Sequence, residues 1–74
     1  MISIRDKKYL EKFGKHIRML RLSKGLSQVQ LEFESEISKN QIGNIERGEI
    51  NPTISTLKRI AKALGVQPKD LLDF

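Results

Sequence analysis

The chain has 74 residues, no cysteine, one histidine and a formal net charge of +5 at pH 7. This length allows one small domain, because a chain of this size buries only about 60% of its unfolded surface on folding. The composition excludes disulfides and thiolate metal sites and leaves His16 without a cysteine for nucleophilic catalysis, whereas the basic charge favours an anionic partner such as nucleic acid.

Targeting, metal and cofactor signals are not found in the sequence. Its apolar runs are far shorter than the roughly 20 residues that cross a bilayer, and its first residues lack the apolar region of a signal peptide. A glycine-rich phosphate loop and the Asp/Gly spacing of a calcium loop are also missing. We therefore expect a cytoplasmic protein with no cofactor, no metal and no enzymatic activity.

The first predicted helix runs from about Asp6 or Tyr9 to Lys24, after an N-terminal arm at residues 1–8. Gly25 ends it, since glycine readily adopts the left-handed conformation that follows a helix. Its apolar residues recur at three- and four-residue spacing, which predicts one buried face: Leu10, Phe13, Ile17 and Leu20.

Two short capped helices follow in succession. Ser27 with Gln30, and Ser38 with Gln41, both fit the capping-box pattern, in which a hydroxyl and an amide satisfy backbone N–H groups. The pattern predicts a second helix over 28–35 and a third over 39–47, with Gly48 as the natural stop. Their few apolar residues are not enough for a core, so the pair must pack on other helices: Val29, Leu31, Ile37, Ile42 and Ile45.

Two further helices complete an all-α fold. Thr53 is the predicted N-cap of the fourth helix, which Gly65 ends, and Pro68 suits the first position of a short fifth helix. The apolar stripe of the fourth helix comprises Ile54, Leu57, Ile60, Ala61 and Leu64. The prediction is therefore a compact five-helix domain over 1–74, with no linker and no internal repeat.

This sequence resembles the lambda-repressor-like helix-turn-helix family, the XRE or Cro/C1 type, over about 13–72. The matching segments are GKHIRMLRLSKGLSQVQL, then ISKNQIGNIERGEINPTISTLKRIAKALGV, then PKDLL. The resemblance implies a five-helix domain that binds operator DNA as a dimer, with the helix over 39–47 in the major groove.

Base reading is expected from the exposed face of that helix. Asn and Gln side chains pair with adenine, and Lys donates to guanine O6 and N7. The expected reading residues are Lys39, Asn40, Gln41 and Asn44. Solvated polar positions are the alternative for Asn40 and Asn44, and Gln41 is either a reader or the capping partner of Ser38.

Phosphate contacts are expected near helix ends, where free N–H groups and the helix dipole favour anions. The resemblance implies this role for Gln28; an ordinary exposed residue is the alternative. The further expected phosphate contacts are Ser38, Arg47, Asn51, Lys15 and Arg18. Because residues 27–49 are net negative, the attractive charge lies mostly outside the motif, and its acidic cluster should face away from DNA: Glu32, Glu34 and Glu36.

Four positions bear on structure through the resemblance. Glu32 stands where the family usually has alanine packed on the next helix, and Glu36 where it often has glycine, at a cost of about 1 to 2 kcal/mol if the backbone is left-handed. The family also implies a partly buried ion pair that locks the first helix to the third, here Arg21 with Glu46.

The C-terminal residues predict either a two-fold dimer or a tail that completes the core of a monomer. An apolar aromatic at the last position must be covered by something. The expected dimer residues are Val66, Leu71, Leu72 and Phe74. A dimer would place two half-sites about 34 Å apart on a pseudo-palindrome.

The sequence therefore predicts a sequence-specific transcriptional regulator, acting as a repressor more readily than as an activator. Without a ligand-sensing domain, control would come from its own concentration, as in restriction-modification controllers, or from a protein partner, as in antitoxins with their toxins. A subunit of RNA polymerase is a further candidate partner, which the acidic cluster would contact; a solvated helix face is the alternative for that cluster. The alternative is a protein-interaction module that has kept the scaffold without reading DNA.

Overall fold

A computed structural model describes the backbone of residues 4–74 and the side chains of residues 6–74. The described part of the chain is all-α and contains no strand. Four α-helices, α1 to α4, are followed by a short C-terminal 3₁₀ helix, with these bounds: α1 Ile4–Ser23, α2 Gln28–Ser35, α3 Gln41–Glu46, α4 Ile54–Leu64 and the 3₁₀ helix Pro68–Leu72. The prediction of five α-helices is wrong in its last member, because the segment after Pro68 is only five residues long.

Helix α1 is the longest element and carries the predicted apolar face. Leu10, Phe13 and Ile17 are buried, and Leu20 packs against the core they form. The helix begins earlier than expected: residues 4–8 are helical and do not form an arm, while residues 1–3 of that predicted arm lie outside the described part.

The start and the end of α2 both match the sequence pattern. Ser27 accepts from the Gln30 N–H at 3.0 Å, and the Gln30 side chain accepts from the Ser27 N–H at 2.7 Å, which confirms the capping box. Glu36 ends the helix with φ 57° and ψ 40°, the left-handed conformation that favours glycine. The glutamate is therefore strained at this turn.

Helix α3 is shorter than predicted at both ends, and its expected capping box is absent. Asn40, with φ 71°, is the N-cap, and its side chain makes no capping hydrogen bond. Ser38 instead accepts the Gln41 N–H through its backbone oxygen at 3.2 Å. Asparagine tolerates the left-handed region better than most residues, so Asn40 turns the chain sharply into α3. Gly48, with φ 72°, follows the C-cap Arg47, as predicted.

Helix α4 begins and ends as predicted. Thr53 accepts from the Thr56 N–H at 3.2 Å, and Gly65 ends the helix with φ 72°. One member of its predicted stripe is wrong, because Ile54 is 81% exposed. Its helical spacing is correct, but the described residues leave the Ile54 side chain largely uncovered, whereas Leu57 packs against the core.

The core lies between the five helices: α1 packs on α3 and on the 3₁₀ helix, and α4 packs on α2 and on the 3₁₀ helix. It consists of Phe13, Ile17, Leu31, Ile42, Ile45, Ile60, Ala61, Leu64 and Leu71. Gly14 allows α1 to touch α3, since a Cβ at this position would overlap the carbonyl oxygens of Ile45 and Glu46. The Lys7 Nζ donates to the Gly48 backbone oxygen at 2.9 Å and ties the start of α1 to the end of α3.

The C-terminal segment folds back on α1. Leu71 is completely buried in the core, so the expectation that it forms a dimer contact is wrong. Phe74 packs on Tyr9, with ring centroids 5.2 Å apart, and also on Phe13 and His16. His16 Nε2 lies 2.8 Å from the Asp70 backbone oxygen. Phe74 nevertheless remains 46% exposed.

Among residues 4–74, no helix is both long enough and apolar enough to cross a membrane.

Candidate nucleic-acid interface

A depression of about 420 Å³ lies between α2 and α3. Its two sides come from the first two turns of α2 and from the segment that leads into and through α3. The lining residues are Gln28, Val29, Glu32, Lys39, Asn40, Gly43, Asn44 and Arg47. Five of the predicted DNA-contact residues are therefore brought to one surface: Gln28, Lys39, Asn40, Asn44 and Arg47.

The relative position of α1 and α3 is fixed by the predicted ion pair behind this surface. Arg21 Nε donates to Glu46 Oε2 at 2.6 Å and Nη2 donates to Oε1 at 3.0 Å, with the two side chains only 8% and 4% exposed. The third nitrogen, Nη1, donates to the Leu26 backbone oxygen at 2.8 Å. The hydrogen bond to Glu46 raises the pKa of Arg21, although burial acts in the opposite direction. The predicted structural ion pair is confirmed.

Gln28 connects this ion pair to the surface. Its Nε2 donates to Glu46 Oε1 at 3.0 Å, so the same carboxylate holds an arginine from α1 and a glutamine from α2. The Leu31 N–H makes the first backbone bond of α2, to Ser27, which leaves the N–H groups of Gln28 and Val29 ahead of the helical ladder. This arrangement suits a phosphate oxygen at the start of α2.

Asn44 and Arg47 form a second polar group at the other side of the depression. Arg47 Nη2 donates to Asn44 Oδ1 at 2.6 Å, and Arg47 Nε donates to Glu49 Oε2 at 3.1 Å. The Arg47 and Glu49 side chains are 56% and 48% exposed, so water screens their attraction. The guanidinium is nevertheless held from two directions.

The remaining predicted contacts lie outside the depression. Ser38 lies in the turn before α3, and Gln41 is the first residue of α3. Lys15 and Arg18 are exposed on α1. Asn51 lies in the loop before α4, beside a small cavity that it shares with α1 and the 3₁₀ helix. Whether these five residues contact phosphate or bases stays a prediction.

The acidic cluster is divided between two surfaces. Glu34 and Glu36 line a groove that faces the basic residues of α4, and Arg59 Nη1 donates to the Glu36 backbone oxygen at 3.1 Å. Glu32 lines the depression itself, beside Lys39. The expectation that the whole cluster turns away from the reading residues is therefore wrong for Glu32, because α2 presents that position towards α3.

Two further residues of the depression are not among the contacts predicted from the sequence. Gly43 is buried in the middle of α3, and a Cβ there would lie 3.1 Å from Arg47 Nη1 and 3.3 Å from Gln28 Oε1. Val29, which was assigned to the apolar packing of the pair, is 72% exposed. A glycine inside a helix costs about 1 kcal/mol of stability relative to alanine. Its presence in the predicted third helix is therefore the sequence feature that could have pointed to a close contact at Gly43.

Two short helices joined by a tight turn and locked to α1 define a helix-turn-helix protein. A family model described as Helix-turn-helix matches residues 17–71. The chain belongs to this family, which confirms the resemblance found in the sequence.

Proteins similar to this chain include controllers and a repressor. The control protein C.BamHI of Bacillus amyloliquefaciens is 51% identical over 63 residues, which cover 84% of this chain and 78% of that protein. The immunity repressor protein of Bacillus phage phi105 is 41% identical over 54 residues, 73% of this chain and 38% of the repressor. The crystal structure of the restriction-modification controller protein C.AhdI from Aeromonas hydrophila has a TM-score of 0.82 and 40% identity, covering 84% of this chain and 94% of that one.

Proposed function

We propose that the protein is a sequence-specific DNA-binding transcriptional regulator of the restriction-modification controller type. The observation that carries this proposal is the depression, in which Lys39, Asn40 and Asn44 of the α3 region stand beside Gln28 at the start of α2. Similarity to C.BamHI and C.AhdI over most of their length supports the controller setting over an antitoxin. Regulation would follow the concentration of the protein itself.

The proposed mode of binding places α3 in the major groove. Lys39, Asn40 and Asn44 would contact base edges, while Gln28 and the N–H groups at the start of α2 would contact a phosphate and set the register. The net positive charge of the chain would attract the duplex, so affinity should fall as salt rises. The protein would act in the compartment that holds the DNA.

Selection from random duplex oligonucleotides tests this function. We expect an enriched, pseudo-palindromic motif at moderate salt, with half-sites about 34 Å apart. Recovery of no enriched motif would contradict the proposal and would favour a protein-interaction module on the same scaffold.

Two variants separate reading from positioning. In Asn44→Ala, discrimination should fall at one base position in each half-site, because one amide no longer contacts a base; in Gln28→Ala, binding should weaken by a similar factor for every sequence. Both can be measured by titrating a panel of single-base operator variants. An unfolding temperature equal to that of the parent would show that the effect of Asn44→Ala does not reflect lost folding. Gln28→Ala loses the hydrogen bond to Glu46 and should unfold somewhat below the parent, but it should stay folded at the temperature of the titration because Arg21 still pairs with Glu46.

We also propose that the protein binds its operator as a homodimer. Tyr9, Leu72 and Phe74 are about half exposed at the place where the C-terminal segment meets α1, and they form an apolar patch. A single reading head of this size buries little surface on DNA, and two heads would add their contacts. Val66 packs against the core and contributes less to this surface than expected.

A protein partner is a second proposal, supported by the outer face of α2. Val29 and Phe33 are 72% and 73% exposed, one turn apart, and a depression beside them is rimmed by Glu34 and Glu36. Apolar residues with an acidic border suit a basic protein surface, such as that of an RNA polymerase subunit or a toxin. Phe33→Ser should reduce transcriptional activation while operator affinity is kept. Unchanged activation would contradict this partner.

A further inference from the structure

We propose that Arg47 is a positioning residue that fixes the orientation of the Asn44 amide and thereby the base that Asn44 prefers. The proposal rests on the DNA-reading function proposed above and names a specificity role within the same site. Arg47 itself needs no contact with a base for this role.

The hydrogen bond between the two side chains determines on which side of the Asn44 amide the oxygen and the nitrogen lie. An arginine side chain has donors only, so the atom that faces Arg47 Nη2 at 2.6 Å must be the oxygen, Oδ1. The Asn44 Nδ2 group must then point away from Arg47. An asparagine on a solvated helix can turn its amide over and exchange its donor and acceptor; Asn44 is held in one orientation.

The guanidinium that holds Asn44 is itself held. Glu49 accepts from Arg47 Nε at 3.1 Å, so two different nitrogens of one rigid plane are engaged. A planar group fixed at two edges loses much of its freedom to rotate, which a lysine ammonium in the same place would keep. The orientation of Asn44 therefore depends on a chain of three side chains, Glu49, Arg47 and Asn44.

Gly43 explains how Arg47 reaches this position. Nη1 lies 3.1 Å from the point where a Cβ of residue 43 would stand, so a larger residue would require the guanidinium or its neighbour Gln28 to shift by at least a few tenths of an ångström. Glycine in the middle of a six-residue helix is unfavourable for that helix. Its missing side chain leaves room for the guanidinium that orients Asn44.

The alternative role for Arg47 is a phosphate contact, and the two roles have different signatures. A phosphate contact contributes equally to all sequences. An oriented amide contributes only at the base that it meets, because exchanging donor and acceptor changes which base edges it fits. The distinguishing quantity is discrimination, the ratio of Kd for an altered operator to Kd for the preferred one.

A double-mutant cycle measured on a panel of single-base operator variants tests the proposal. The proteins are the parent, Asn44→Ala, Arg47→Ala and the double variant, with Lys15→Ala as a control that removes a positive charge on α1. We expect Arg47→Ala to lower discrimination about tenfold at the base position affected by Asn44→Ala, and to lower it no further when Asn44 is already absent. Arg47→Lys should recover overall affinity while discrimination at that position stays low.

The outcomes separate this inference from the function on which it rests. We expect Lys15→Ala to weaken binding by the same factor for every sequence. If Arg47→Ala did the same, the positioning role would be overturned, but the proposed function as a regulator would stand. Asn44→Ala with unchanged base preference would also overturn it. A parent protein that discriminates among no sequences at all would overturn the proposed function itself.

Discussion

At the scale of single residues, the most consequential interaction is the buried pair of Arg21 and Glu46. Glu46 accepts from Arg21 twice and from Gln28 once, so one carboxylate joins α1, α2 and α3. Removing one member of a buried pair leaves the other charge without compensation, which costs more than the pair contributes when intact.

We expect Glu46→Ala to lower the free energy of unfolding by about 3 to 5 kcal/mol. Urea or thermal unfolding followed by circular dichroism measures the change. The matched control is Glu49→Ala, because Glu49 is also paired with an arginine but is 48% exposed, and such surface pairs contribute about 1 kcal/mol or less. Similar losses for the two variants would show that burial of the Arg21 pair has no special effect.

The pH dependence of this pair follows from the direction of one pKa. Because the hydrogen bond to Glu46 raises the pKa of Arg21 in the folded state, the stability that comes from protonation of Arg21 is present at neutral pH. This contribution is lost when the pH rises through the raised pKa, far on the alkaline side. Titration of Arg21 therefore cannot regulate the fold near neutrality.

At the scale of elements, the turn between α2 and α3 is strained. Glu36 has φ 57° and Asn40 has φ 71°, so two residues with side chains adopt a conformation that suits glycine within a five-residue turn. Asparagine is accommodated there more easily than glutamate. The turn is held by α3 packing on α2, and by Arg59 on the Glu36 backbone oxygen.

We expect Glu36→Gly to raise the free energy of unfolding by about 1 kcal/mol, since it removes the left-handed strain without removing a side-chain bond that supports the fold. The control is Gly65→Ala, at φ 72°, where an added Cβ meets no atom within 4 Å and only the backbone is affected. That variant should lose about 1 kcal/mol. Chemical denaturation of both variants measures the two shifts, and a destabilised Glu36→Gly would show that the glutamate side chain contributes more than its strain costs.

The sequence predicts the bounds and caps of most helices, but it predicts the burial of individual side chains less well. The bounds of α2, the cap at Thr53 and the glycine ends follow from local chemistry, which acts over a few residues. Val29 and Ile54 have helical spacing but are exposed, because spacing cannot say which neighbouring element covers a turn. The third helix begins at Gln41 and not at Lys39, because Asn40 has a left-handed backbone that depends on how the turn packs.

The site was predictable in part for the same reason. The positions of Lys39, Asn40 and Asn44 on one surface could be predicted from their place in the motif. The contact of Arg21 with Glu46 was predicted only through the resemblance, because 25 residues separate the two partners. Glu32 shares the depression with Lys39 through packing of α2 on α3, which no sequence period shows. Arg47 and Asn44 are three residues apart, and side chains at this spacing are neighbours on a helix. Their contact could therefore have been predicted from the sequence.

At the scale of the whole molecule, the C-terminal segment serves the monomer and still leaves an apolar surface. Leu71 completes the core, and Phe74 packs on the rings of Tyr9, Phe13 and His16. Leu72, one residue after the buried Leu71, is 50% exposed. Leu71 therefore completes the core of the monomer, and the proposed dimer contact would involve its exposed neighbour Leu72.

We expect Leu72→Glu to convert a dimer into a folded monomer, because a charge at the centre of the apolar patch would be buried without a partner on association. Sedimentation velocity across a concentration series measures this change, and operator titration should show weaker apparent affinity with the same preferred sequence. Leu22→Glu is the matched control: Leu22 is 55% exposed on α1, outside the patch, and its replacement should leave association intact. A Leu72→Glu protein that sediments as the parent does at every concentration would place the dimer contact elsewhere or exclude the dimer.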